Sequence, residues 1–276
     1  MTYSTLMVHL DVGSSNVDLL RVAADLAEQF RANVIGIGAC QPMQVLSGAD
    51  YIPGELIDED YAERGKEMVE AEASFRVALH GKGRGLAWRS SASFVEPADY
   101  IAREGRAADL LVTGPDKGWS AFDTTRRMNV AEVVLRIGRP VLIVGRGVPK
   151  PDLRTIAVGW KETREARRAI ADALPFLRAA GSVTVVEIVA DQDMESAREH
   201  LADVVEWLGR HDVAATSLAV PSFGDDAAQL DAILADMGAG LLVAGAYGHS
   251  RFREWVLGGV TRDLLLRSSR CTLLSH

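Results

Sequence analysis

The chain has 276 residues, 48% of them hydrophobic and 25% charged, with a net charge of −8 and a pI near 5.3. Such an acidic chain lacks the basic patch that a nucleic-acid binder needs, and no run of about 18 apolar residues is present to span a membrane. Its two cysteines, Cys40 and Cys271, make neither a disulfide framework nor a zinc site, and the N-terminus lacks the charged and apolar segments of a signal peptide, so the expected location is the cytoplasm.

Taken in chain order, apolar periodicity predicts a strand over 5–10 and a helix over 16–30 with Leu19, Leu20, Val22, Ala23, Leu26 and Ala27 on one face. The turn between them, Asp11-Val12-Gly13-Ser14-Ser15-Asn16, reads as a helix cap with Ser14 or Ser15 as the capping residue. A strand over 33–38 follows, then a long connection over 41–53 and a helix over 55–79. The first half closes with a strand over 86–92, a short helix over 97–106, a strand over 110–113, a helix over 125–136 and a strand over 141–144. Gly145 to Pro151, rich in glycine, proline and charge, reads as a linker. The second half repeats the order, with strands near 155–160, 183–189, 213–219, 241–244 and 272–274 and helices near 163–180, 193–210, 225–237 and 255–268.

This alternation is the pattern of an α/β fold, a parallel sheet with helices on both faces in doubly wound order. The two halves are also an internal repeat. Asp109-Leu-Leu-Val-Thr-Gly114 aligns with Gly240-Leu-Leu-Val-Ala-Gly245, and without a gap Leu135-Arg136 aligns with Leu266-Arg267 and Leu142 with Leu273. Thr5-Leu-Met-Val8 likewise resembles Thr155-Ile-Ala-Val158. Two domains are therefore expected, 1–146 and 152–276.

Chemistry concentrates in the second half. Leu241-Leu-Val-Ala244 reads as a buried strand. It runs into Gly245-Ala-Tyr-Gly248, then His249, Ser250 and seven further residues, then Gly258-Gly259-Val260-Thr261 ahead of a helical pattern. Glycines at a strand end and a helix start let the backbone approach an anion, with the N–H groups of the helix's first turn pointing at it. Glycines alone would serve tight turns equally well, but the G-x-x-G, nine residues, G-G-x-T spacing favours a mononucleotide site. It is neither a P-loop nor a dinucleotide fingerprint.

At these residues the sequence resembles the universal stress protein family, which carries G-x-x-G, nine residues, G-[ST] in the same place. The glycine-rich tail resembles the tandem two-domain bacterial members. The resemblance implies two tandem doubly wound domains of the adenine nucleotide hydrolase-like type, packed as an internal pseudo-dimer through their last strands, and leaves further homodimerisation open. It implies ATP, alone or with Mg2+, as the ligand of the second domain. The backbone of Gly159, Trp160, Lys161 and Val189 would border base and ribose, and Gly245, Gly248, Gly258, Gly259, Val260 and Thr261 would surround the phosphates, with His249 beside them. Two positions depart from the family: Gly259 replaces the usual Ser or Thr, and Lys161 stands where an acidic residue is common.

The first half has lost the loop. Lys117, Arg127 and Met128 replace the glycines equivalent to Gly248, Gly258 and Gly259, and Pro115 follows the surviving Gly114. Side chains there obstruct a close backbone approach, so this domain is expected to bind no nucleotide, with Lys117, Arg126 and Arg127 left to hold some other anion at most. Asp11 keeps the acidic strand end. His249 has no acid partner at the spacing of a triad, and the HxGH and SGGxDS-type motifs of nucleotidyl transferases and adenylate-forming enzymes are absent. The reading is a stress-response protein that binds an adenine nucleotide and signals to a protein partner, with hydrolysis slow at most. Its competitor is a scaffold whose loop is a relic.

Overall fold

The computed structural model describes residues 2–42, 54–115, 127–145, 147–148, 152–246 and 270–276. Its contacts divide the chain into two compact units, Tyr3–Gly138 and Arg139–His276.

In the N-terminal unit the elements are β1 (Thr5–Leu10), α1 (Val17–Phe30), β2 (Asn33–Cys40), α2 (Gly54–Ala78), β3 (Gly85–Ala92), α3 (Pro97–Glu104), β4 (Leu110–Thr113) and α4 (Val130–Arg136). The strands are parallel in the order β3-β2-β1-β4, with Thr5 opposite Asn33 and Leu6 opposite Leu110. β1 and β2 are buried nearly throughout, as strands covered on both faces must be, whereas edge strand β3 alternates between exposed and half-buried. α1 lays Leu19, Leu20, Val22, Ala23, Leu26 and Ala27 into the core, the face its periodicity predicts. α2 follows its predicted range within a residue, and its buried Met68, Ala71 and Phe75 hold it to the unit. Phe75 is fully buried with its ring centroid 5.6 Å from that of Trp88, and burial of such a side chain contributes about 2–3 kcal/mol.

The C-terminal unit contains β5 (Val141–Ile143), β6 (Thr155–Gly159), α5 (Arg164–Asp172), α6 (Leu174–Leu177), β7 (Ser182–Val189), α7 (Met194–Gly209), β8 (Ala215–Pro221), α8 (Asp226–Asp236), β9 (Leu241–Gly245) and β10 (Cys271–Ser275). Its parallel strands run β8-β7-β6-β9-β10. The order β3-β2-β1-β4 is thus reproduced by β8-β7-β6-β9, the three-dimensional form of the sequence repeat. β5, last strand of the first sequence repeat, pairs antiparallel with β10, with Leu142 opposite Leu273.

Three local expectations are corrected. The helix expected over 163–180 is two helices: the first ends at Asp172, and Pro175, which lacks an N–H, sits in the first turn of α6, where none is needed. The N-cap position of α1 is held by Asn16, not Ser14 or Ser15, and its side chain bonds the turn rather than the helix: it accepts from the Asp11 N–H (3.0 Å) and donates to the carbonyls of Asp11 (3.1 Å) and Ser14 (2.9 Å). The third strand of the second half is displaced by two residues, to Ala215–Pro221. The helix expected over 255–268, the 43–53 part of the long connection and residues 125–126 of the helix expected over 125–136 lie outside the described residues.

Candidate functional site

In a doubly wound sheet, ligands enter beyond the carboxyl ends of the strands where the connections diverge. That point lies between β6 and β9 in the C-terminal unit and between β1 and β4 in the N-terminal unit. The two can be compared residue by residue through the repeat.

In the C-terminal unit, Gly159 ends β6 opposite Ala244 of β9. A Cβ at Gly159 would meet its neighbours at 3.6 Å or more, ordinary contact, so this strand end is lined by small residues. Trp160 turns back into the protein: it is 4% exposed, its N–H donates to the Val186 carbonyl (2.8 Å) and its indole N–H to Glu162 (3.0 Å). The Lys161 ammonium donates to the carbonyl of Ile188, closing the turn after β6 onto β7. At the end of β7, the Val189 carbonyl accepts from the Ser222 N–H (2.7 Å). Thr163 caps α5 through the Ala166 N–H (3.2 Å), fixing the first turn of that helix beside β9.

Gly245 has a structural role that its sequence context hides. A Cβ there would lie 2.5 Å from the backbone of Glu165 and of Ala166, so the strand end packs directly on the first turn of α5. Only glycine permits that approach. The next residue, Ala246, is fully buried; its N–H donates to the Ser275 carbonyl (2.8 Å) and its carbonyl meets Nδ1 of His276 (3.0 Å). The chain thus leaves β9 along a fixed path, between the helix and β10. Glu165, 3% exposed, sits at the same junction. Burial opposes its charge, but its ion pair with Arg164, helped by the positive influence of His276, holds the carboxyl below the usual range.

Gly159, Trp160, Lys161, Val189 and Gly245 are therefore all at the carboxyl ends of three neighbouring strands, β7-β6-β9. Gly248, His249, Gly258, Gly259, Val260 and Thr261 lie outside the described residues, as do Lys117 and Arg126.

The N-terminal unit fills the same place. His9 stands where the other unit has Gly159, and Thr113 where it has Ala244. His9 Nδ1 and Thr113 Oγ1 are 3.1 Å apart in a buried hydrogen bond that crosses from β1 to β4. Burial drives the His9 pKa from 6.5 down to about 4 against the opposing pull of Asp11, so the imidazole is neutral at pH 7. Arg127, at the position of Gly258, reaches Asp11 (3.3 Å) and Ser14 (3.4 Å). From above, the Arg64–Glu67 ion pair of α2 closes in, with Glu67 occupying the space beside Gly13. The space left among Asp11, Val12, Ala39, Cys40, Gln41, Arg64 and Arg127 is about 20 Å3, room for one water molecule. Sequence reasoning found the lost glycines but missed the His9–Thr113 plug. The signal was present in the repeat, which already sets Thr113 on Ala244 and, one step beyond Val8, His9 on Gly159.

Among the described residues no group of three or more His, Cys, Asp or Glu could hold a metal ion, and no helix is long and apolar enough to cross a membrane. Cys40 and Cys271 are both buried, and burial pushes the Cys271 thiol up to about 11.

No family model matches the sequence, and no curated protein does. Solved structures do match along nearly the whole length. A universal stress protein from Archaeoglobus fulgidus DSM 4304 superposes with a TM-score of 0.72 at 14% identity, covering 98% of this chain and 95% of that one. A putative universal stress protein from Pseudomonas aeruginosa UCBPP-PA14 gives 0.55 at 11% identity, covering 99% and 93%. The cytoplasmic domain of a prokaryotic cation chloride cotransporter gives 0.53 at 11%, covering 98% and 94%. The fold is that of the universal stress proteins, with two α/β units in tandem.

Proposed function

We propose that this chain is a tandem universal stress protein of the cytoplasm that binds one adenine nucleotide, in its C-terminal unit, and acts by binding and signalling rather than by catalysis. The observation that carries the reading is the pairing of two small residues, Gly159 and Ala244, at the ends of β6 and β9, from which Gly245 leads into the glycine motif of Gly248, Gly258 and Gly259. The ligand is ATP or a close relative. Gly159, Trp160, Lys161 and Val189 border its base and ribose; Gly248, His249, Gly258, Gly259, Val260 and Thr261 meet its phosphates through backbone N–H groups. Mg2+ would arrive with the nucleotide and be held chiefly by phosphate oxygens and water. Gly245 serves this site indirectly, by fixing the chain's exit from β9.

A scaffold that binds no nucleotide is the second reading. Lys161 supports it, because its ammonium is engaged with the Ile188 carbonyl rather than offered to a ligand. So does the fold, which also forms the cytoplasmic domain of a transporter and therefore fixes no activity by itself.

Native mass spectrometry of freshly purified protein separates the two. The nucleotide reading predicts an added mass of one adenine nucleotide per chain, absent from a Gly248→Val/Gly258→Val variant that melts at the wild-type temperature. Folded protein that carries no nucleotide, and acquires none when incubated with millimolar Mg-ATP, supports the scaffold.

A further inference from the structure

The two units carry the same corner after their edge strands: Ser93-Phe94 follows β3 and Ser222-Phe223 follows β8. In each, the serine N–H donates to the carbonyl that ends the neighbouring strand, Cys40 in one unit (3.3 Å) and Val189 in the other (2.7 Å). In each, the phenylalanine faces solvent, 61% exposed at Phe94 and 83% at Phe223. These are among the most exposed large apolar side chains described, and neither contributes to a core.

The second corner is held rigidly. The Phe223 N–H donates to Gln229 Oε1 (3.2 Å), and Gln229 Nε2 donates back to the Pro221 carbonyl (2.7 Å). Ser222 Oγ donates to Asp226 (2.5 Å) and accepts from the Gly224 N–H (3.3 Å), while Asp225 caps α8 through the Ala228 N–H (3.0 Å). Gly224 has φ of +108°, a conformation open to glycine alone without strain. The backbone is thus fixed in a shape that projects an aromatic ring into water, and an anchor presented in this way loses little freedom when it docks.

Its surroundings select the partner. The Ser222–Val189 bond ties the corner to the turn that carries Asp191 and Asp193 ahead of Glu195, all exposed. On the other side stand Asp225 and Asp226. Segment 221–240 contains no lysine or arginine, and after β7 the first basic residue is Arg198, one helical turn beyond Glu195. β8 is two strands from β6, so the corner lies about 10 Å along the sheet from the end of β6, and it adjoins the proposed nucleotide site through the Ser222–Val189 hydrogen bond.

We propose that Phe223 and the carboxylates around it form a docking site for an arginine-bearing apolar segment of a partner protein. The ring enters an apolar contact and offers its face to a guanidinium, and Asp191, Asp193, Asp225 and Asp226 complement the segment's charge.

The test titrates the full chain, by calorimetry at physiological salt, with a short peptide alternating Arg and Leu and with its Glu-Leu counterpart. The Arg-Leu peptide is expected to bind saturably and the Glu-Leu peptide not at all. Phe223→Ser, which leaves the melting temperature unchanged because the ring is exposed, weakens binding about tenfold or more. Asp191→Asn/Asp193→Asn weakens it by a smaller factor that vanishes at high salt. Equal affinity for wild type and Phe223→Ser overturns the proposal, because it would mean that charge alone attracts the peptide. No binding at millimolar peptide overturns it too, as does self-association of wild type in sedimentation velocity that Phe223→Ser abolishes, which would assign the corner to a second copy of this chain.

Discussion

The N-terminal and C-terminal units share the order of four parallel strands and differ at the point where the sheet could admit a ligand. At the end of their central strands, the first unit has His9 against Thr113 and the second has Gly159 against Ala244. The first adds Arg127 on Asp11 and leaves about 20 Å3; the second has Gly258 at the position of Arg127 and Lys161 at that of Asp11. The lesson, on the proposed nucleotide reading, is that a duplicated fold can retire one of its two sites without altering its topology. In the first unit, side chains at the strand ends supply bulk, a neutral buried hydrogen bond and an ion pair.

The comparison breaks most visibly at the paired glycines. Gly245→Val places a side chain 2.5 Å from the backbone of α5, where no rotamer relieves the overlap. It should cost about 3 kcal/mol or more, lowering the melting temperature by about 10 °C. Gly114, its repeat partner, has no heavy atom within 4 Å of a Cβ among the described residues, so Gly114→Val should melt close to wild type. Equal losses in a thermal melt would mean that the close approach of strand and helix at Gly245 is not what the residue is for. The expected large loss at Gly245 also means that Gly245 variants report on folding before they report on nucleotide binding.

Next in size is the acid response of the plug. His9 titrates near 6.5 when unfolded and about 4 when folded, so below 6.5 the unfolded state binds the proton that the folded state refuses. Stability is complete above pH 6.5 and falls as pH drops toward 4, by about 3 kcal/mol in total. The C-terminal unit has glycine there and no such term. Hydrogen exchange at pH 4.5 against pH 7 should therefore show β1 and β4 losing protection before β6 and β9, and His9→Gln should remove the difference. Parallel losses in both units would exclude His9 as the cause.

The smallest effect belongs to Arg127→Ala. Its ion pair with Asp11 is long and partly solvated, 36% and 25% exposed, and such pairs contribute about 0.5 kcal/mol. Urea unfolding should register little change, which sharpens the comparison by assigning closure of the N-terminal crevice to bulk rather than to salt-bridge strength. A loss of several kcal/mol would reverse that assignment.

Much of this was legible in the sequence. Strands such as β1 and β4 are short apolar runs bounded by polar turns, and their repeat at fixed spacing specified both the parallel sheet and its duplication. The loss of glycines at Lys117, Arg127 and Met128 was equally plain. Hidden were properties that depend on what packs across the sheet. Nothing in the spacing of Gly245 distinguishes a residue that meets a phosphate from one that meets a helix backbone; only the first turn of α5 lying against it does. The break before α6 was readable from Pro175, but the helical pattern on both sides masked it. The exposure of Phe94 and Phe223 could not be inferred, because phenylalanine beside a strand is ordinarily core.

The most direct test of the account is the stoichiometry of Mg-ATP binding to the full chain by calorimetry, repeated with His9→Gly/Thr113→Ala and with Gly248→Val/Gly258→Val. The account predicts one site per chain, kept in the first variant and lost in the second. Two sites in wild type, or a single site that survives Gly248→Val/Gly258→Val, would contradict the assignment of an open crevice to the C-terminal unit and a closed one to the N-terminal unit.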